Sequence, residues 1–105
     1  MAREKDNIAL SDEHISRGIE LADRGWLDEA IREFRKAIEL KPDRVEVYVD
    51  LGAELESRGK SKEAVDVLRK ATELKLTRSE VYNNLGNSLF TLKQTKEAIA
   101  AYSKA

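Results

Sequence analysis

Apolar residues in this chain recur at helical intervals. Tyr48, Leu51, Gly52 and Leu55 stand at i, i+3, i+4 and i+7, the spacing that lines one face of an α-helix. Ala64, Leu68 and Ala71 repeat the interval on a second segment, and Tyr102 takes the place of Leu68 further on. Read along the whole chain, the pattern predicts helices at 11–24, 28–40, 45–58, 62–75, 79–92 and 96–105. Breaks are expected near Arg24-Gly25, Arg58-Gly59 and Lys93-Gln94, and at the first two Gly supplies a left-handed C-cap. Ser61 and Thr95 offer N-caps for second helices, and Asp43 and Thr77 for the first helices that follow. Pro42 falls just past Leu40, where it stops a helix instead of interrupting one.

The pattern also repeats. At a spacing of 34, Gly18, Gly52 and Gly86 share a column, as do Leu21, Leu55 and Leu89. Ala30, Ala64 and Ala98 form a third, and Ala37, Ala71 and Ala105 a fourth. Residues 45–71 and 79–105 agree at 11 of 27 positions, far more than composition produces at a fixed offset. Gly inside a helix costs ~1 kcal/mol relative to Ala. Three at equivalent positions therefore imply a shared steric demand, which close helix-on-helix packing supplies. No single hairpin buries its apolar stripe alone, whereas three stacked hairpins do.

Composition narrows the function. Charged residues make up 37% and aromatics 6%, with one Pro and five Gly, a mixture typical of an all-helical soluble chain. Nineteen basic residues against twenty acidic ones give bulk charge no pull toward nucleic acid or an anionic membrane. No Cys is present, which removes disulfides and thiolate metal sites. Residues 1–10 carry no apolar signal region, and a cytoplasmic location is expected.

Each unit resembles a tetratricopeptide repeat, whose signature runs aromatic, Leu-Gly, aromatic or Leu, Ala, aromatic, Ala, Pro. The second unit has Tyr48, Leu51-Gly52, Leu55, Ala64, Leu68 and Ala71; the third has Tyr82, Leu85-Gly86, Leu89, Ala98, Tyr102 and Ala105. The first has Gly18, Leu21, Ala30, Phe34, Ala37 and Pro42, but His14 and Arg17 replace its aromatic and Leu, and Leu76 replaces the second Pro. The resemblance implies an all-α, right-handed α-solenoid of three antiparallel helical hairpins. Its parts would be an N-terminal extension (1–10), repeats at 11–44 and 45–78, and a short third repeat at 79–105 without a separate capping helix.

In such a solenoid the first helices line a concave groove. By that carry-over the groove holds Asp12, Ile15, Ser16 and Ile19, then Glu46, Val49, Asp50 and Ala53, then Glu80, Asn83, Asn84 and Asn87. Ile15, Ile19 and Val49 would form an apolar patch, and the three Asn a polar end suited to an extended backbone. Asp12, Glu46 and Glu80 form an acidic ladder, with helix-end electrostatics an equally good explanation for it. Family members that clasp the acidic C-terminus of large chaperones use Lys, Asn and Arg at positions occupied here by Ile15, Ile19, Asp50, Glu80 and Asn84. With no basic residue among them, that partner is not expected. An acidic groove also argues against nucleic acid. Lys36, Lys70 and Lys104 read as a solvated outer face. Trp26 reads first as a local cap over Leu27, and second as an anchor for a partner.

No enzyme is expected. His14 is the only His, and no Ser or Cys beside it suggests a nucleophile–base pair; no cofactor or metal is called for. The reading is a scaffold that binds a peptide or helix of another protein in its groove, away from membranes. The alternative is a module that oligomerises through its last hairpin, by way of Ile99 and Tyr102, or a piece of a longer repeat protein.

Overall fold

The computed structural model describes residues 2–76 and 78–105, and among these lie six α-helices and no strand. They are α1 (Ala2–Asp23), α2 (Leu27–Leu40), α3 (Val45–Ser57), α4 (Ser61–Glu73), α5 (Ser79–Thr91) and α6 (Thr95–Lys104). Helices pair in sequence as three antiparallel hairpins, α1–α2, α3–α4 and α5–α6, and α3 and α5 each also pack on the hairpin before them. The result is an all-α solenoid 45 × 30 × 16 Å across.

The turns within the hairpins follow the expected chemistry. Gly25 and Gly59 sit at φ +83° and +80°. Around Gly25 the Trp26 N–H donates to the Leu21 carbonyl and the Gly25 N–H to that of Ala22, both at 2.9 Å, the paired bonds of a Schellman cap. The same pair recurs at Gly59, at Lys93 and, between the second and third hairpins, at Lys75. Both lysines are held at positive φ, +62° and +63°, a conformation that strains a residue bearing a Cβ.

The helix starts differ from expectation. Ser61 and Thr95 are the first helical residues, and Lys60 and Gln94 occupy the caps without a side-chain bond. Asp43 does not cap α3 either; Arg44 stands there, again with no side-chain bond. Thr77 lies outside the described residues. What the starts share is an acid in the first turn: Glu4, Asp28, Glu46, Glu63, Glu80 and Glu97. Negative charge there complements the helix dipole, which makes the missing hydroxyl caps affordable.

Core packing explains the repeated columns. A Cβ added at Gly18 would meet the Phe34 ring at 2.6 Å, one at Gly52 the Leu68 side chain at 2.9 Å, and one at Gly86 the Tyr102 ring at 2.6 Å. All three glycines thus seat the large side chain of the partner helix. Ala30, Ala64 and Ala98 are buried beside them, with Leu51, Leu55, Leu85 and Leu89. Two apolar clusters result, joined where Ile38 and Val67 touch both. Tyr48 is buried, and its hydroxyl donates to the Pro42 carbonyl at 2.6 Å. That bond ties the chain just past α2 to α3.

Residues 2–10 continue α1 without a break. Lys41 Nζ lies 3.2 Å from Glu4 Oε1, and the buried Ser11 hydroxyl donates to the Ala37 carbonyl at 3.1 Å. In the column that holds Tyr48 and Tyr82, His14 instead places Nδ1 2.8 Å from Glu33 Oε1. This bond, outweighing the cost of burial, holds the Glu33 carboxyl below its ordinary value.

Candidate functional site

The first helices, α1, α3 and α5, build the face on which a groove is expected, and its residues divide by environment. Ile15 and Val49 are half-buried and pack against the two core clusters, so they serve the fold as well as the surface. Ile19 is the exposed apolar residue of the set, at 45%. Asn83 and Asn87 are exposed and Asn84 half-buried.

The acidic ladder does not stand free. Arg44 Nη1 lies 2.5 Å from Asp12 Oδ1, and its Nε 3.5 Å from Glu46; Arg78 sits 3.4 Å from Glu80. Glu46 and Glu80 are first-turn acids of α3 and α5, as helix-end electrostatics requires. Asp12 is not: with α1 beginning at Ala2, it falls mid-helix, and its partner is Arg44.

Deeper on the same face the carboxylates are less well served. Burial, and then the neighbouring Glu46, push the Asp50 carboxyl above its ordinary value. Burial also raises Glu54, with Asp50 and Asp23 adding to the shift. These half-buried acids repel one another across α3.

Between α3 and α5 lies a cleft of about 160 Å³, lined by Gly52, Ala53, Glu56, Asn84, Asn87 and Ser88. The structure thus brings the predicted Asn84 and Asn87 together with two polar residues that sequence reasoning missed. Glu56 Oε2 accepts a hydrogen bond from the Thr91 hydroxyl at 2.8 Å. Glu56 Oε1 and the Ser88 hydroxyl are buried and have no hydrogen-bond partner among the described residues. The available signal was column substitution: Glu56 aligns with Ala22 and Phe90, and Ser88 with Glu20 and Glu54.

Larger clefts open on the second-helix side, of about 490 and 320 Å³. Their linings are related by 34 residues: Arg69 and Arg35, Tyr82 and Tyr48, Leu85 and Leu51, Lys104 and Lys70. Such recurrence is what stacking identical hairpins produces, whatever their function.

Of the remaining candidates, Trp26 is 55% exposed in the α1–α2 turn, so it does not bury itself as a cap over Leu27. Ile99 is 60% exposed. Tyr102 lies with its ring against Gly86 and its hydroxyl donating to Asn87 Oδ1 at 2.5 Å, which commits it largely to its own hairpin. Among the described residues no three His, Asp or Glu side chains are grouped to hold a metal ion, and no helix is long and apolar enough to cross a membrane.

A family model described as TPR repeat matches residues 18–55, and one described as tetratricopeptide repeat matches 45–77 and 79–105. No curated protein sequence matches the chain. Among solved structures, the crystal structure of MamA protein superposes with a TM-score of 0.84 at 27% identity, over 90% of this chain and 52% of that one. The chain therefore spans about half the length of that relative. The second TPR of Spaghetti (RPAP3), bound to the HSP90 peptide SRMEEVD, gives a TM-score of 0.91 at 15% identity, over 99% of this chain and 95% of that one. The Sgt2 TPR domain from Aspergillus fumigatus gives 0.84 at 24% identity, over 90% and 62%. At such identities these last two show a shared fold alone.

Proposed function

This chain belongs to the tetratricopeptide-repeat family of protein-interaction scaffolds, and we propose that it holds a peptide or helix of a partner protein in the groove lined by α1, α3 and α5. The observation that carries the reading is the α3–α5 cleft. Asn84 and Asn87 stand there on the first-helix face beside the polar Glu56 and Ser88. Exposed Ile19 adds an apolar contact further along the face.

No covalent step is involved. The family is typically non-catalytic, and the one His is engaged with Glu33. An acidic chaperone C-terminus is a poor partner on charge grounds. Asp50 and Glu54 already repel each other, and a further carboxylate would add to that repulsion. Isothermal titration with SRMEEVD is expected to give no saturable heat; tight binding would refute this exclusion. The same charge makes nucleic acid a poor ligand, and the expected setting is the cytoplasm.

The groove reading is tested by affinity capture from source-cell lysate, comparing the wild type with Val49→Lys/Asn87→Ala after circular dichroism confirms an intact fold. A protein retained by the wild type and lost by the variant supports the groove. Equal retention by both contradicts it. A second reading, homo-oligomerisation through the last hairpin, rests on the exposure of Phe90 and Ile99, at 62% and 60%. It requires a mass in solution that rises with concentration and falls back with Ile99→Lys.

A further inference from the structure

The seam between α1 and α3 carries its own chemistry. The register that lines the α3–α5 cleft with Ala53, Glu56, Asn84 and Ser88 places Ile19, Ala22, Asp50 and Glu54 along this seam, 34 residues earlier. Whereas α3 packs directly on α5, α1 and α3 meet far less, which leaves the seam more open. Ile19 is 45% exposed, and Asp50 and Glu54 are half-buried. Ile8 and Ile15 precede Ile19 by eleven and four residues on α1, on one face of the helix. Ile8 is exposed and Ile15 half-buried. The three form an apolar stripe about 16 Å long.

Nothing in the fold calls for the carboxylates beside that stripe. Helix α3 carries Glu46, Asp50, Glu54 and Glu56 with no Lys or Arg, whereas α2, α4 and α6 each mix both signs. The helix dipole favours acids in a first turn, but Asp23 and Glu54 stand in the last turns of α1 and α3, where it disfavours them. Arg44 serves Asp12 and Glu46. The influences on Asp50 and Glu54 are burial and other carboxylates alone. Local arrangements that work against the fold are expected at functional sites.

We propose that the α1–α3 seam receives a basic amphipathic helix of the partner, its apolar side on Ile8, Ile15 and Ile19 and its Lys or Arg side chains toward Asp50, Glu54 and Asp23. The charges are complementary, and the stripe has the interval of a helix–helix contact. Ile15, Ile19, Ala22, Asp50, Ala53 and Glu54 offer no side-chain donor, so an extended segment would leave its carbonyls unmet there. A helix bonds its own. The assignment rests on the groove reading and adds to it the charge and conformation of the partner.

The probe is a synthetic helix of about four turns, with Leu at i, i+4, i+7 and i+11, Lys flanking them and Ala elsewhere. One comparator carries Glu for every Lys; another keeps the Lys and has a central Pro that breaks the helix. Each is titrated into the isotope-labelled protein and followed by amide-resolved NMR. Saturable shifts at Ile19, Ala22, Asp50 and Glu54 are expected with the unbroken Lys helix alone. Asp50→Asn/Glu54→Gln relieves repulsion in the fold and is expected to weaken binding about fivefold. Ile19→Lys is expected to weaken it about tenfold, and Asp66→Asn on α4 to leave it unchanged. Equal binding by either comparator, shifts confined to the second helices, or undiminished affinity in Asp50→Asn/Glu54→Gln would overturn the assignment. So would an equal loss in Asp66→Asn, which would reduce the effect to bulk charge. A captured partner lost with Val49→Lys/Asn87→Ala but held by Asp50→Asn/Glu54→Gln would sink the basic helix and leave the groove standing. A partner held equally by both variants would sink the groove itself.

Discussion

The two halves of the first-helix face share one scaffold and carry different chemistry. Where α1 approaches α3, the face offers Ile15, Ile19 and Val49, with Ala22 at the position 34 residues before Glu56. Where α3 approaches α5, the positions 34 residues on from Val49, Ala53, Ala22 and Glu54 carry Asn83, Asn87, Glu56 and Ser88. Beneath both halves the columns are invariant: Gly18, Gly52 and Gly86 each admit a large side chain from the partner helix. Packing fixes what lies between the helices of a hairpin. It leaves the outward positions of the first helices free, so an apolar half and a polar half stand side by side on the same backbone.

The strongest way to break the comparison is to remove what both halves share. Leu55 on α3 is fully buried, and Leu55→Ala is expected to cost about 2–5 kcal/mol, with both halves lost in one urea transition. Two separate transitions would show that the halves are independent units. A smaller effect distinguishes the scaffold positions themselves. Gly52→Ala drives a methyl into the buried Leu68, costing about 1–3 kcal/mol, partly offset by ~1 kcal/mol of helix propensity. Gly86→Ala meets Tyr102, which is 40% exposed and can yield toward solvent at the cost of its bond to Asn87. Its loss in Tm is expected to be less than half as large.

The electrostatic contrast is smaller and has a sign. The Asp50 carboxyl is raised in the folded state, so the folded chain binds its proton more readily than the unfolded one. Stability therefore falls as pH rises through that carboxyl's range, and a penalty persists at neutral pH. Asp50→Asn removes it, with an expected gain of less than ~1 kcal/mol after screening by solvent. The gain should vanish as pH drops below about 4, and denaturation at several pH values checks both. Smallest of all, Ile19→Lys is expected to shift stability by less than ~0.5 kcal/mol, as for other surface changes, while weakening partner capture. A large loss of stability there would place Ile19 in the core instead.

The fold was legible because its determinants repeat. Gly52, Leu55 and Ala64 recur in phase, and a close helix–helix approach is the simple physical demand that selects them. The helix ends were legible at Gly25 and Gly59, where the left-handed turn needs that residue. They were less so at Ser61 and Thr95, because first-turn acids do the work assigned to hydroxyl caps. The extent of α1 was illegible, since Ala2 to Leu10 have no counterpart in the repeat. On the candidate site, the Asn residues could be placed by alignment to the family pattern. Glu56 and Ser88 could not, because each is an exception within its own column and its burial depends on how α3 meets α5.

The central claim, that the partner lies along the first-helix face, is tested most directly by site-specific photo-crosslinking in lysate. A benzophenone side chain at Ala53, on the floor between α3 and α5, is compared with one at Asp66, on the second-helix side. The account predicts a discrete crosslinked partner from position 53, absent from position 66 and competed away by excess wild-type protein. Crosslinks from position 66 alone, or only to further copies of this chain, would contradict it.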